Sequence, residues 1–226
     1  MAYRDMNRTL TFRESYGNNT PSDIKTEIEK NRKRWREKVT KVIQEQFLAL
    51  QNENINYDDW HGDVCQKICE VYKGDDSSSP LVKKEGKTRT TENADLTFGQ
   101  AQKWLNMTMK YLWLLGRLDI LAEKDKKIID RIEAKLHVPL DSYIIKYIKA
   151  KKSVVDDNAL GDVTTILNSG WSKMDSEEER KEYSRLQKSI RSSLAKKNRI
   201  PLEWELEHWH KAVKAYGDAD KEASFD

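Results

Sequence analysis

Two lysines lie on a predicted helix that is apolar nearly all round. Residues 96–115 place Trp, Leu and Met side chains in most directions and also carry Lys103 and Lys110, seven residues apart and so on roughly the same face. A surface helix shows one apolar stripe and one polar face, so this pattern predicts a buried helix. A buried amine is costly unless it is paired, and burial otherwise favours its neutral, nucleophilic form. Lys110 is therefore a candidate nucleophile. The alternative is a lysine that reaches solvent or pairs with a carboxylate.

A carboxylate follows at the start of a later predicted helix. Asp141 comes two residues after Pro139 and precedes an apolar pattern that includes Tyr143 and Ile144. An aspartate in this position caps the helix and interacts favourably with the helix dipole. The same placement can hold an ionised carboxylate that faces a site and stabilises positive charge on a substrate. Both interpretations remain open at this point.

Helical periodicity accounts for most of the chain. Apolar residues recur at helical spacing from Ser22 to about residue 51, from Tyr57 to about residue 74, and through 118–136. Further helices are predicted from Asp141, from a capping box formed by Ser176 and Glu179, and from Pro201. Residues 163–167 predict a short helical turn. No strand pattern stands out, so we predict an all-α fold of about seven or eight helices in a single body.

The predicted domain organisation is simple. Residues 1–21 are polar and predict a flexible N-terminal arm, residues 22–216 a helical domain, and residues 217–226 a polar tail. Residues 74–95 predict a long exposed loop, of a length that is usually either functional or disordered. A boundary in this loop is possible, although nothing in the sequence requires it.

The charge is nearly balanced. The chain has 41 Lys and Arg against 38 Asp and Glu, a net charge of +3, so total charge does not indicate a nucleic-acid binder. Two local basic clusters stand out, at residues 30–34 and 83–89. The first has the composition of a solvated helix face, and the second could contact a phosphate backbone or simply be a mobile loop. Seven Trp and nine Tyr argue against disorder.

The two cysteines do not indicate a metal centre. Cys65 and Cys69 are four residues apart on a predicted helix, and two ligands do not make a structural zinc or iron–sulfur site. Reduced thiols are typical of a cytoplasmic protein, and no segment resembles a signal peptide or a membrane span. We therefore expect a soluble, cytoplasmic monomer that has no metal or cofactor and no membrane partner.

Three short motifs together resemble a known family. They are Gln102-Lys103 with a second lysine at Lys110, the segment Val138-Pro139-Leu140-Asp141 with its aspartate 31 residues after Lys110, and Ile200-Pro201 followed by Glu205 and Trp209. In this combination the chain resembles the helix–hairpin–helix DNA glycosylases, most closely the archaeal 8-oxoguanine DNA glycosylase branch. The resemblance covers about residues 50–210, although only these motifs carry it.

The resemblance implies a DNA glycosylase with lyase activity. Lys110 would attack C1′ of the damaged nucleotide, and Asp141 would stabilise the oxocarbenium-like transition state. The partner would be double-stranded DNA with the target base flipped out, an 8-oxoguanine-type purine being favoured. The family's usual hairpin brings glycine amides close to a DNA phosphate, and the stretch after the lysine helix offers only Gly116.

The same resemblance implies roles in binding the base. Trp209 and Trp60 would stack on it, Glu205 would hydrogen-bond its edge, and Lys103 would support Lys110. Glu205 stands where the family has an aspartate. Core packing is the alternative for both tryptophans and is favoured for Trp60.

Two other functions remain open. Arg131 and His137 have the spacing of the Arg-x(4–6)-His motif of HEPN-type ribonucleases, although Pro139 would end the helix that this motif needs. A non-catalytic helical module that binds DNA or protein is the other possibility, and the low net charge is slightly in its favour.

Overall fold

The chain is largely helical, as predicted. The computed structural model describes residues 2, 9–12, 14, 20–73, 80–85, 88–150 and 170–222. Within these residues the helices are α1 Ser22–Ala49, α2 Tyr57–Tyr72, α3 Phe98–Arg117, α4 Glu123–Ile132, α5 Ser142–Ala150, α6 Glu177–Ala195 and α7 Pro201–Glu222. Short 3₁₀ turns occupy Glu133–Lys135 and Trp171–Lys173. The all-α class is confirmed for this part of the chain, and the predicted turn at 163–167 lies outside it.

The chain divides into two compact units, Met1–Leu105 and Asn106–Asp226. The division falls inside helix α3, between Lys103 and Lys110, and not in residues 74–95, where we considered a boundary.

In the first unit, α1 packs against α2 through its apolar stripe. Ile28, Val39, Ile43 and Phe47 of α1 are buried, and the ring of Trp35 stacks on Tyr72 of α2 at a centroid distance of 5.6 Å. Spacings of four and seven residues, with Trp35 included, form the helical apolar stripe that the sequence shows. The packing leaves the opposite face of α1 in solvent.

A β-hairpin occupies part of the segment that we predicted to be an exposed loop. Strand β1, Val82–Glu85, pairs antiparallel with β2, Thr88–Asn93, and Leu81 and Val82 are buried. The loop prediction is wrong here because the few apolar residues of the segment are enough to attach one end of a hairpin.

Part of the predicted N-terminal arm is attached as well. The Val82 amide donates to the Thr11 carbonyl at 2.9 Å, and Phe12 forms a β-bridge with Leu81. The Gln100 side-chain amide donates to the Thr9 carbonyl at 3.0 Å. Residues 9–12 are therefore held by the hairpin and by the first turn of α3, and the prediction of a flexible arm does not hold for them.

In the second unit, α7 packs against α5 and α6. The capping box that begins α6 is confirmed, because the Ser176 and Glu179 side chains each bond the other's backbone amide. Helix α7 begins at Pro201 as predicted but continues to Glu222, through residues that we assigned to a polar tail. No helix among the described residues is long and apolar enough to cross a bilayer.

Candidate active site

The buried lysine of α3 has a carboxylate partner. Lys110 Nζ lies 2.5 Å from Glu205 Oε2 of α7, and the two side chains are 10% and 2% exposed. Such a pair is stable in a dry interior only because each charge compensates the other. This is the carboxylate-paired alternative for Lys110, and it also supplies a proton acceptor that directly contacts the amine.

Asp141 bridges the start of α5 and the middle of α7. Its Oδ1 accepts a hydrogen bond from the Ile144 amide at 2.9 Å, which is an N-terminal cap, and its Oδ2 accepts from Trp209 Nε1 at 3.1 Å. The predicted cap is therefore confirmed, and the indole N–H fixes the second oxygen in place.

Helix α7 brings the two pairs together. Glu205 and Trp209 are four residues apart, so they lie on one face of α7, about 6 Å apart along its axis. One contacts Lys110 and the other contacts Asp141. The amine of α3 and the carboxylate before α5 therefore meet adjacent turns of a single helix.

An aromatic cluster holds α7 against α5. The ring of Tyr147 in α5 lies 6.1 Å from Trp204 and 5.1 Å from His208, and the Trp204 and His208 rings stack at 5.0 Å. His208 Nδ1 also contacts the Trp204 carbonyl at 2.7 Å. These contacts set the rotation of α7 and so the direction of the face that carries Glu205 and Trp209.

The other side of α7 carries an exposed ion-pair cluster. Glu207 lies 2.5 Å from Arg199 and 2.8 Å from Lys211. The hydrogen bonds from Lys211 and then Arg199 lower the pKa of Glu207 to about 2. Glu207 therefore carries a negative charge throughout the neutral range and stays paired along the helix.

Helix α6 supports the site through a buried polar network. Tyr183 Oη lies 2.9 Å from Asn106 Nδ2, one turn before Lys110 on α3, and 2.9 Å from His137 Nδ1. Tyr183, Asn106 and His137 are all buried. Because a hydroxyl both donates and accepts, one side chain of α6 connects the lysine helix to the segment that leads to Asp141.

A second α6 side chain holds the same segment through its backbone. Gln187 Oε1 accepts from the Val138 amide at 2.9 Å, and Gln187 Nε2 donates to the Val138 carbonyl at 2.8 Å. Gln187 is fully buried. Our sequence reasoning did not find it. The sequence does contain a signal for this residue, since Gln187 is a polar residue one turn after Tyr183 on the mostly apolar side of the helix. A buried amide side chain is normally hydrogen-bonded, and a backbone segment can supply its partners.

The remaining predicted site residues have other surroundings. Lys103 is buried on α3, 5% exposed, two turns before Lys110. Trp60 is buried in the first unit, where its Nε1 donates to the Gln46 carbonyl at 3.0 Å and its ring packs on Tyr57 at 5.3 Å. A ring held in this way is core packing, so the stacking role predicted for Trp60 does not fit the structure. Glu205, for which the resemblance implies a hydrogen bond to the base edge, contacts the Lys110 amine in this structure.

The connection between α3 and α4 differs from a glycine hairpin. Asp119 has a positive φ of 56°, a conformation more usual for glycine or asparagine, and its side chain is 78% exposed. Lys126 pairs with it and lowers the pKa of its carboxyl. A carboxylate at this point repels a DNA phosphate. The tip of this connection also has an aspartate where the resemblance implies a glycine whose amide approaches the phosphate.

No group of three or more metal-ligating side chains lies among the described residues. Cys65 and Cys69 of α2 are buried thiols that form no disulfide, and Cys65 Sγ lies 3.7 Å from His61 Nδ1. This arrangement is typical of side chains that pack in a protein core.

The ribonuclease motif does not form a shared surface. Helix α4 ends at Ile132, so His137 lies beyond the helix that carries Arg131. His137 is 3% exposed and bonded to Tyr183, whereas Arg131 is exposed. A general base for RNA cleavage must reach its substrate, so this geometry disfavours the HEPN-type interpretation.

Comparison with known proteins adds no family assignment: no family model, no curated protein and no solved structure matches the chain.

Proposed function

We propose that this protein is a DNA glycosylase with lyase activity, similar to the helix–hairpin–helix superfamily, and that it acts through Lys110. The observation that carries the proposal is the meeting of two pairs on one face of α7: Lys110 with Glu205, and Asp141 with Trp209. A buried amine, a proton acceptor in contact with it, and a fixed carboxylate one turn away are the groups that amine-dependent base excision needs.

The proposed reaction begins with a proton transfer. Glu205 accepts a proton from the Lys110 ammonium, and the freed amine forms a bond to C1′ of the flipped nucleotide. The glycosidic C1′–N bond breaks, and the base leaves with the bonding electrons and takes up the proton that Glu205 had accepted, which restores the Glu205 carboxylate. The carboxylate of Asp141, held at the start of α5, stabilises the positive charge that develops on the sugar during this step.

The later steps follow from the covalent adduct. Opening of the sugar ring converts the C1′–nitrogen bond into a Schiff base on Lys110. Loss of a C2′ proton then breaks the C3′–O bond by β-elimination, and hydrolysis of the Schiff base releases the amine. Trp209 is partly exposed, so its ring can stack on the flipped base while its N–H holds Asp141. We favour an 8-oxoguanine-type purine as the base.

Borohydride trapping tests the proposal. The protein is incubated with a labelled duplex that contains 8-oxoguanine, with sodium borohydride present to reduce any Schiff base. We expect a covalent protein–DNA adduct with the native chain and with the control Lys127→Gln, an exposed lysine of α4, and none with Lys110→Gln. Asp141→Asn should form the adduct more slowly. The proposal fails if no damaged or modified duplex gives an adduct, or if Lys110→Gln traps as well as the native chain.

One observation favours a second candidate, a non-catalytic helical module that binds DNA or protein. The Lys110 charge is already compensated by Glu205, and a structural ion pair needs no substrate. The same experiment separates the two, because a non-catalytic module binds a duplex and forms no adduct.

A further inference from the structure

Residues 30–41 of helix α1 carry more net positive charge than the whole chain. Residues 30–41 contain seven Lys or Arg and one acid, Glu37, which is a charge of +6 in twelve residues. The entire chain has a net charge of +3, so the rest of it is net negative. Because the positive charge is concentrated in residues 30–41, the electrostatic potential there is positive even though the net charge of the chain is small.

The helical geometry collects these charges on one face. Lys30, Lys33, Arg34, Lys38 and Lys41 follow one another at steps of one, three or four residues, and all five side chains are exposed. We call these five residues the basic face of α1. They extend over eleven residue steps, or about 16 Å of helix axis.

The ion pairs on this face are weak. Lys33 lies 3.6 Å from Glu37, with both side chains 62% exposed, and Lys41 lies 3.9 Å from Glu45, with the side chains 78% and 58% exposed. Exposed pairs at this spacing contribute little and are screened by salt. A polyanion can therefore compete for these lysines at small cost. The Lys38 amine lies over the ring of Trp35, 4.1 Å from its centroid, and this contact fixes the orientation of the Lys38 side chain.

The opposite face of α1 decides between two kinds of polyanion. A helix that binds a membrane surface inserts its apolar face among the lipids. In α1 that face, which includes Val39, Ile43 and Phe47, is buried in the first unit. The exposed apolar residues Ile24 and Leu48 lie near the two ends of the helix, outside residues 30–41, and do not form a continuous apolar face. We therefore expect α1 to bind a polyanion through charge, without inserting apolar side chains. The phosphate backbone of a nucleic acid is a partner of this kind.

We propose that the basic face of α1 binds the phosphate backbone of duplex DNA. Each strand carries one phosphate per 3.4 Å of duplex axis, so about 16 Å of helix faces about five phosphates of one strand. The choice of duplex DNA over other nucleic acids rests on the proposed function. The contact itself carries no sequence information, because phosphate contacts position a protein without reading bases.

The test compares two variants with equal changes in charge. In the first, Lys30, Arg34 and Lys38 of the basic face are replaced by Gln. In the control, Lys127, Lys181 and Arg185 are replaced by Gln; they are exposed on α4 and α6 and are also ion-paired. Gln keeps nearly the same helix propensity, so both variants should fold, which circular dichroism checks.

Affinity for an undamaged, fluorescently labelled duplex is measured by anisotropy between 50 and 200 mM salt. Each lost phosphate contact lowers the slope of log K against log salt by about 0.9, so the basic-face variant should lose about 3 from the slope. We expect at least about tenfold weaker binding at the lowest salt. The control should keep the native slope and affinity.

Three results would overturn the proposal. They are native binding without a salt slope, equal losses in the two variants, and a basic-face variant that binds DNA normally but has lost affinity for phosphatidylserine vesicles. Because the duplex is undamaged, failure of borohydride trapping leaves this result unaffected. Likewise, if the native chain shows no salt slope, the catalytic role of Lys110 is still decided by borohydride trapping alone.

Discussion

The Lys110–Glu205 pair gives a sharp prediction about stability. Replacing Lys110 with Met removes the amine and leaves the Glu205 carboxylate, 2% exposed, without its compensating charge. Breaking a buried ion pair on one side costs about 3–5 kcal/mol. The near-complete burial of Glu205 puts Lys110→Met near the upper end, at about 4–5 kcal/mol. For a chain of this size each kcal/mol lowers Tm by about 2–4 °C, which predicts a fall of about 8–20 °C.

The structure also predicts an order among the variants. Glu205→Leu leaves the Lys110 ammonium, whose side chain is 10% exposed, so water can reach it and the cost is smaller, about 3 kcal/mol. The double variant leaves no charge, and replacement of a buried pair by apolar residues is often neutral or stabilising by about 1–4 kcal/mol. The double variant should therefore be more stable than either single variant.

Urea denaturation followed by circular dichroism measures these differences as a double-mutant cycle. The matched control is Lys181→Met, which breaks an exposed, solvent-screened pair with Glu177 on α6 and should leave the urea midpoint nearly unchanged. If Lys110→Met costs no more than this control, or if the two single losses simply add in the double variant, then Lys110 and Glu205 do not form a buried coupled pair, and the site as described is wrong.

Three further predictions concern the surroundings of the site. Trp209→Phe keeps the ring but removes the N–H that bonds Asp141, so single-turnover excision should slow by about 10- to 100-fold, as expected for a hydrogen bond to a charged group, while duplex affinity stays within about twofold. Gln187→Leu leaves the buried amide and carbonyl of Val138 unpaired and should lower the free energy of unfolding by about 2–4 kcal/mol in urea, and an unchanged midpoint would contradict the anchoring role. Glu207 has a pKa of about 2 in the folded chain, below the 4.5 of an unperturbed glutamate, so the stability that it adds is present above about pH 4.5 and is lost as the pH falls towards 2. Glu207→Gln should therefore lower Tm at pH 7 and have no effect near pH 2, and a constant difference in thermal melts across this range would refute the linkage.

Local patterns were enough to predict most of the helices. The capping box of Ser176 and Glu179, the start of α7 at Pro201, and Asp141 as a cap were all visible as short spacings, and the structure contains each of them. These features depend on residues a few positions apart, where helix geometry fixes the neighbours. The burial of α3 was likewise predictable, because an apolar residue in every direction leaves no polar face to expose.

The sequence by itself predicted that the helix carrying Lys110 is buried and that Asp141 begins a helix, and it left open whether Lys110 reaches solvent. Only the tertiary structure decided that Glu205, 95 residues beyond Lys110, is its partner, and that Trp209 holds Asp141. Pairings across such separations depend on how α7 packs against its neighbours, and no local rule contains that information. The hairpin at β1 and β2 was missed for the same reason, since cross-strand pairing and the burial of Leu81 are properties of the assembled unit.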